Sequence, residues 1–327
     1  MRTSKVNTKQ AQIQNKFTQM RIYLTERCNQ KCPSCFNARE RRAAIEMDMP
    51  RLVCLLDALK KWNYQRIAIM GGEPLLHSDF ATVFALAQAR VPKVAVFTNG
   101  TVPFPTAIKP RKDDAFIFNF LFQKTPNFRN NIQRIIKEKW PNQISFEIVL
   151  REGIDIENLK RNIQSANNLC LKRDPFFPKP MFVFSFDCTS NILEYKQELN
   201  ERMIELLLFA RSLNLQVGSD HNPPYCFVGN KLRLIGREMK IFSHHRCSIK
   251  SAGLITADFN IQFCGIFPRR VGNLFDGNGR IIGFQKLSDK LEEAHRYKLA
   301  KRHEELCKDC SHWLKECNSA CFPKSMS

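Results

Sequence analysis

The chain has 327 residues, 43% of them hydrophobic and 25% charged, with a net charge of +20. That length supports one large core plus a smaller unit, and no apolar run reaches the roughly 18–20 residues that cross a bilayer. The basic, polar opening MRTSKVNTKQAQIQNK lacks the apolar stretch of a secretory signal, so the expectation is a cytoplasmic protein with reduced thiols and no membrane partner.

Short apolar strands alternate with helical stretches from about residue 20. RIYLT (21–25) reads as a strand and leads into a cysteine-rich loop. A helix over 48–62 follows, with Leu52, Leu55, Leu56 and Leu59 on one face. RIAIM (66–70) is the second strand, 80–89 a helix, KVAVF (93–97) the third strand and AFIFNF (115–120) the fourth. A helix over 128–139, a strand over 143–150, a helix over 156–169, a strand over 181–187 and a helix over 194–213 complete the run. This βα repeat predicts an α/β fold of parallel strands with right-handed crossovers, a partial (β/α)6 barrel whose chemistry sits at the C-terminal strand ends.

After about residue 215 the pattern changes. His221-Asn222-Pro223-Pro224 breaks the repeat, 254–258 and 260–264 form a hairpin, and a basic helix covers 287–303. The expected organisation is a basic extension (1–17), a βα core (18–217), a bridge (218–245) and a small C-terminal unit (246–327).

Thirteen cysteines in a chain expected to be cytoplasmic indicate metal or redox chemistry rather than disulfides. Cys28, Cys32 and Cys35 follow the first strand at Cys-x3-Cys-x2-Cys spacing. Three thiolates are one short of a structural zinc site. A four-iron cluster held by three thiolates would keep one iron open, which is a reason to have three. Gly71-Gly72-Glu73-Pro74 ends the second strand, where the glycines let the backbone approach a ligand closely.

The cysteine spacing, the GGEP segment and the six-unit repeat together resemble the radical SAM superfamily over about residues 18–215. The resemblance implies a 4Fe–4S cluster on Cys28, Cys32 and Cys35 that binds S-adenosylmethionine (SAM) and cleaves it reductively to a 5′-deoxyadenosyl radical. It places Gly71, Gly72, Glu73 and Pro74 at the SAM amino group, and Thr98, Asn99 and Asn119 near the ribose and methionine. Arg151 is a candidate for the SAM carboxylate. An electron donor such as flavodoxin or ferredoxin is also implied. Ser34 stands where the family often has an aromatic residue.

Cys247, Cys264 and the tail Cys307-x2-Cys310-x6-Cys317-x3-Cys321 resemble the SPASM/twitch extensions of that superfamily. Six cysteines fit one auxiliary 4Fe–4S cluster, on Cys247, Cys264, Cys307 and Cys310, with Cys317 and Cys321 as alternative ligands. A zinc site on four of the six is the other reading. Phe259 replaces an expected glycine, and the sequence ends six residues past Cys321.

Cys226, where the core hands over to the tail, is a candidate hydrogen donor, an inert thiol or a further ligand. Asp187, ending the sixth strand, is a candidate substrate contact or base, and Cys188 faces the same rim. Cys54 and Cys170 read as helix core or boundary fillers.

The favoured function is modification of a ribosomally made peptide, by epimerisation through Cys226 or by cross-linking, with the basic surface suiting an acidic leader. A separate leader-binding domain is not expected, since the cluster loop begins at residue 28. A sugar or aminoglycoside dehydrogenase or epimerase is the alternative enzyme, and a cationic aminoglycoside sits poorly against +20. A non-enzymatic Fe–S or zinc protein that binds nucleic acid is the third reading. It rests on charge, because no aromatic-rich binding module accompanies it.

Overall fold

The computed structural model describes residues 18–35, 45–172, 175–187, 194–219, 223–241, 253–265, 269–311 and 317. The leading strands and helices are β1 (Gln19–Thr25), α1 (Met49–Lys61), β2 (Arg66–Gly71), α2 (Phe80–Gln88), β3 (Lys93–Thr98) and β4 (Ala115–Asn119). Then come α3 (Pro126–Lys137), β5 (Gln143–Leu150), α4 (Ile156–Cys170), β6 (Met181–Phe186), α5 (Lys196–Ser212), β7 (Gln216–Gly218) and α6 (Asn230–Glu238). The C-terminal part adds β8 (Leu254–Ile255), β9 (Asn260–Gln262), β10 (Arg270–Asn273) and α7 (Phe284–Arg302).

One ten-stranded sheet runs in the order β10-β9-β8-β1-β2-β3-β4-β5-β6-β7. Strands β1 to β7 pair in parallel, and β8 lies parallel to β1. The βα expectation holds: the fold is α/β with a mostly parallel sheet. Sequence reading missed β7, α6 and β10. The 254–255 and 260–262 strands do form an antiparallel pair, and they extend the core's own sheet.

Helix starts follow local chemistry. Asp48 caps α1 by accepting from Arg51 N at 3.0 Å, ahead of Pro50. Asp155 caps α4 the same way, accepting from Asn158 N at 2.9 Å.

The two sheet faces differ. Phe116, Phe118, Phe146, Phe182 and Phe184 point to the helices and are fully buried with Phe84, Phe104 and Trp140 in one aromatic core. Rings stack through it, Phe104–Phe116 at 4.7 Å and Phe146–Phe182 at 5.3 Å. The opposite face carries small residues. Ala68, Ala95 and Ala115 stand side by side in register across β2, β3 and β4, with Met70, Phe97 and Ile117 around them. Small side chains there leave room on the inner face.

Two residues differ from their expected surroundings. Cys54 is exposed on α1, whereas Cys170 is buried. Arg111, part of the short basic piece Lys109/Arg111/Lys112 that the sequence reads as solvated surface, is instead a clamp: it donates to the carbonyls of Gln88 at 2.7 Å and of Val91 and Pro92 at 3.1 Å, and pairs with buried Asp114.

Candidate functional site

Because β1 to β6 are parallel, their C-terminal ends share one rim. The cysteine loop leaves β1 there and is fastened to the end of β2. Gly72 N donates to Thr25 O at 2.8 Å and Glu73 N to Arg27 O at 2.7 Å. This approach requires glycine. A Cβ on Gly71 would stand 2.2 Å from Thr25 O, and one on Gly72 would stand 2.1 Å from Arg27 O. Gly71 also has φ +140°. The second glycine therefore serves the loop itself, pressed against the backbone that carries Cys28.

Glu73 is fully buried. Its carboxylate accepts from Thr98 Oγ1 at 2.8 Å, Leu75 N at 3.2 Å and Asn99 N at 2.7 Å. Its side chain thus ties the end of β2 to the end of β3. Burial pushes its pKa up to about 7, against three hydrogen bonds that pull it down. The folded state therefore holds a proton that the unfolded chain has released between about 4.5 and about 7. The associated stability is complete below the lower value and lost as pH rises through the upper one. We expect wild type to lose stability relative to Glu73→Gln over that window, by on the order of 3 kcal/mol. Urea midpoints of both proteins at pH 4.5 and 7.5 measure this, and a constant difference contradicts it.

From Asn99 the network returns to the cysteine loop. Asn99 Nδ2 donates to Asn29 Oδ1 at 2.9 Å, and Asn29 Nδ2 donates to Thr101 Oγ1 at 2.9 Å. Thr101 N and Oγ1 close the turn on Asn99 Oδ1 at 2.8 and 2.7 Å. Arg27 pairs with Glu46 and donates to Leu76 O. Thr98 and Asn99, read as ribose contacts, have their side chains engaged in this bracing. Asn29 and Thr101 were missed, since only the fold brings residues 29 and 101 together.

Cys28, Cys32 and Cys35 are half-buried thiols on this braced loop. Cys35 N donates to Cys32 O at 3.3 Å, forming a turn that sets the last two thiols. Asn119 caps the turn after β4, accepting from Leu121 N at 3.1 Å, and its Nδ2 lies 4.0 Å from Cys32 Sγ. Among the described residues, no group of three or more His, Cys, Asp or Glu side chains is gathered to hold a single metal ion. A cluster of several irons is a wider body held by thiolates. Three soft thiols on one fixed loop fit that group.

Pro74, buried, starts the short turn after Glu73. Arg151 is half-buried just beyond β5. Asp187 is buried beyond β6, its N donating to Leu150 O at 2.8 Å. Ser185 lies between the helix-facing Phe184 and Phe186, hence on the inner face. It is fully buried, and among the described residues its hydroxyl has no hydrogen-bond partner. Such an orphan suits a bound molecule. The Phe-x-Phe alternation of MFVFSF held the signal for it.

Cys188, Cys247 and Cys321 lie outside the described residues, as do His221 and Asn222. Cys264 is half-buried after β9, while Cys307 and Cys317 are buried. Cys310 N donates to Cys307 O at 3.1 Å, repeating the Cys32–Cys35 turn. Cys226 is exposed in the turn before α6. Its neighbour Tyr225 donates N–H to Cys317 Sγ at 3.5 Å. That segment is pinned to β6 by Phe227, whose ring lies 4.8 Å from Phe186. No helix among the described residues is long and apolar enough to cross a membrane.

A family profile described as the Radical SAM superfamily matches residues 22–151. A probable GTP 3′,8-cyclase of Methanocella arvoryzae is 35% identical over 88 residues, 27% of this chain and 28% of that protein. The GTP 3′,8-cyclase of Shewanella denitrificans is 31% identical over 102 residues, 29% of this chain and 30% of that protein. The match thus spans under a third of the length of these curated relatives. Among solved structures, native anSMEcpe with bound AdoMet and the Cp18Cys peptide superposes with TM-score 0.58 at 15% identity, covering 93% of this chain and 88% of that one. Streptococcus suis SuiB bound to precursor peptide SuiA gives TM-score 0.55 at 13% identity, covering 81% of this chain and 64% of that one. At these identities the structural likeness concerns the fold.

Proposed function

We propose that the chain, whose residues 22–151 match the Radical SAM superfamily profile, is a radical SAM enzyme that abstracts a hydrogen atom from a ribosomally made peptide. The observation that carries the reaction class is the fastening of a three-thiol loop to Gly72 and Glu73 at the shared rim. Cys28, Cys32 and Cys35 would hold the cluster. When bound there with SAM, the cluster supplies a 5′-deoxyadenosyl radical able to take a hydrogen atom from substrate.

The chain's own residues hold and shelter that chemistry. Carbonyls of the Gly71–Gly72 segment would accept from the SAM amino group. Glu73 keeps β2 and β3 ends together, and Asn99, Asn29 and Thr101 keep the loop in place. The alanine row and Ser185 leave space and a hydroxyl on the inner face, and Arg151 and Asp187 stand at its rim as polar contacts. The tail cysteines would hold an auxiliary iron–sulfur centre. A small electron-transfer protein such as flavodoxin or ferredoxin would deliver the electron.

Two observations support a peptide. Peptide-bound anSMEcpe shares the fold over most of both chains, and the +20 charge suits an acidic segment. Tyr225 N donates to Cys317 Sγ at 3.5 Å, which sets the segment carrying Cys226 against the tail and favours cross-linking over inversion at carbon. A nucleoside triphosphate is the second reading, supported by the cyclase relatives and the same charge. Reconstituted protein with SAM and reductant should form more 5′-deoxyadenosine with acidic peptides than with GTP. Stimulation by GTP alone would replace the peptide with a nucleotide.

A further inference from the structure

The inner face of the sheet at β5 and β6 carries a polar group that neither the cysteine loop nor its bracing uses. Along β6, Phe182, Phe184 and Phe186 belong to the helix-side core, so Val183, Ser185 and Asp187 take the other face. Along β5, Phe146, Ile148 and Leu150 belong to that core, which leaves Glu147 and Val149 on the inner face, with Arg151 next toward the rim.

Register ties this patch to the cysteine loop. Asn119 pairs with Glu147, Glu147 with Val183 and Val149 with Ser185. Asn119 Nδ2 lies 4.0 Å from Cys32 Sγ. Paired strands are about 4.8 Å apart and a two-residue step rises about 6.6 Å, so Ser185 stands within about 12 Å of Asn119.

The patch is open where the helix side is closed. Asn119, Glu147, Val149 and Val183 are half-exposed, whereas the helix-facing residues of β5 and β6 are buried. Gly218, paired with Val183, adds no side chain. Ser185 itself is fully buried, and among the described residues its hydroxyl has no hydrogen-bond partner. A buried, unbonded hydroxyl costs stability that alanine would avoid. A bound molecule that hydrogen-bonds it removes that cost.

The neighbours define the molecule's chemistry. Val149 and Val183 flank the hydroxyl with apolar surface. Glu147 and Asp187 put carboxylates on the same face, which disfavours a phosphate there. One neutral hydrogen-bonding group beside two valines suits a backbone amide that carries an apolar side chain.

We infer that Ser185 is a specificity contact for the substrate: its hydroxyl hydrogen-bonds a peptide amide while Val149 and Val183 seat the adjoining apolar side chain. This rests on the proposed peptide substrate and narrows it to one with an apolar residue beside the reacting position.

The test compares wild type with Ser185→Ala, both reconstituted with iron and sulfide and given a pool of acidic synthetic peptides that each carry one valine, leucine or isoleucine. Ser185→Ala should raise KM for the pool roughly three- to tenfold, the range that one neutral hydrogen bond supplies. The 5′-deoxyadenosine formed without peptide should match wild type, since the contact is to substrate and not to SAM. Without peptide, the thermal midpoint of Ser185→Ala should be higher by about 2 °C or more, because the unbonded hydroxyl is gone. A merely structural serine would not combine a higher midpoint with a higher KM.

If the pool stimulates both proteins with the same KM, the inference falls and the peptide reading stands. An unchanged or lower midpoint also overturns it, since the hydroxyl is then bonded within the protein or to buried water. A fall in the peptide-free rate places the hydroxyl on SAM and overturns it as well. If no peptide of the pool stimulates wild type, the peptide reading falls and takes the inference with it.

Discussion

Replacing Cys32 with alanine is expected to lower 5′-deoxyadenosine formation at least about a thousandfold, equivalent to roughly 4 kcal/mol of barrier. The reason is stoichiometric. Three thiols are all that the β1 loop offers, and two leave a second iron without a protein ligand. The substitution should leave the fold alone: Cys32 is half-exposed in a loop, where changes in stability stay within about 0.5 kcal/mol. Cys54→Ser is the control, since Cys54 is an exposed thiol on the outside of α1. Its activity and iron content should match wild type. Iron content, melting temperature and product formation on the three proteins separate loss of a ligand from loss of structure.

Gly72→Ala is the second large effect, and it acts on the backbone. The added Cβ would stand 2.1 Å from Arg27 O and 2.7 Å from Glu26 O. Neither carbonyl is the flexible end of a side chain. Arg27 O already accepts from Glu73 N, and Gly72 N already donates to Thr25 O. Relieving the clash must separate β1's exit from β2's end, which moves the cysteine loop. The overpacking alone costs about 1–3 kcal/mol. The loss in iron retention should exceed what that stability change explains, because the loop's position depends on this contact. A variant that binds iron as wild type and cleaves SAM at the wild-type rate would contradict the reading of Gly72 as the loop's seat. Gly277→Ala, at an open position, serves as the neutral comparison.

Much of the core was legible because its strands are short apolar runs and its helices carry one apolar face. RIAIM and KVAVF each bury three successive side chains, on both faces of the sheet, so their hydrophobicity alone identifies them. The missed elements lack that signal. Strand β7 is three residues, QVG, none of them fully buried. Strand β10, RVGN, is polar and partly exposed, held by its pairing to β9. Helix α6 buries Leu232 and Ile235 but exposes Leu234, which blurs its apolar face.

The same contrast holds at the site. Cys28, Cys32 and Cys35 are a local pattern, so spacing reveals them. The role of Glu73 is not local: its partners Thr98 and Asn99 sit 25 and 26 positions away and are reached only when β2 and β3 pair. Sequence pointed to Glu73 as a ligand contact, whereas its carboxylate is occupied with β3. Thr98 and Asn99 sit where expected, yet their side chains brace the loop. Tyr225 is the extreme case, since its contact with Cys317 spans 92 positions and cannot be read from spacing.

The most direct test of the account is 5′-deoxyadenosine formation by wild-type protein, reconstituted anaerobically with iron and sulfide and given SAM with a strong reductant. The account predicts 5′-deoxyadenosine and methionine in equal amounts, dependent on iron, reductant and all three of Cys28, Cys32 and Cys35. Iron-loaded protein that forms no 5′-deoxyadenosine above the Cys32→Ala background, with or without peptide or GTP, would contradict it.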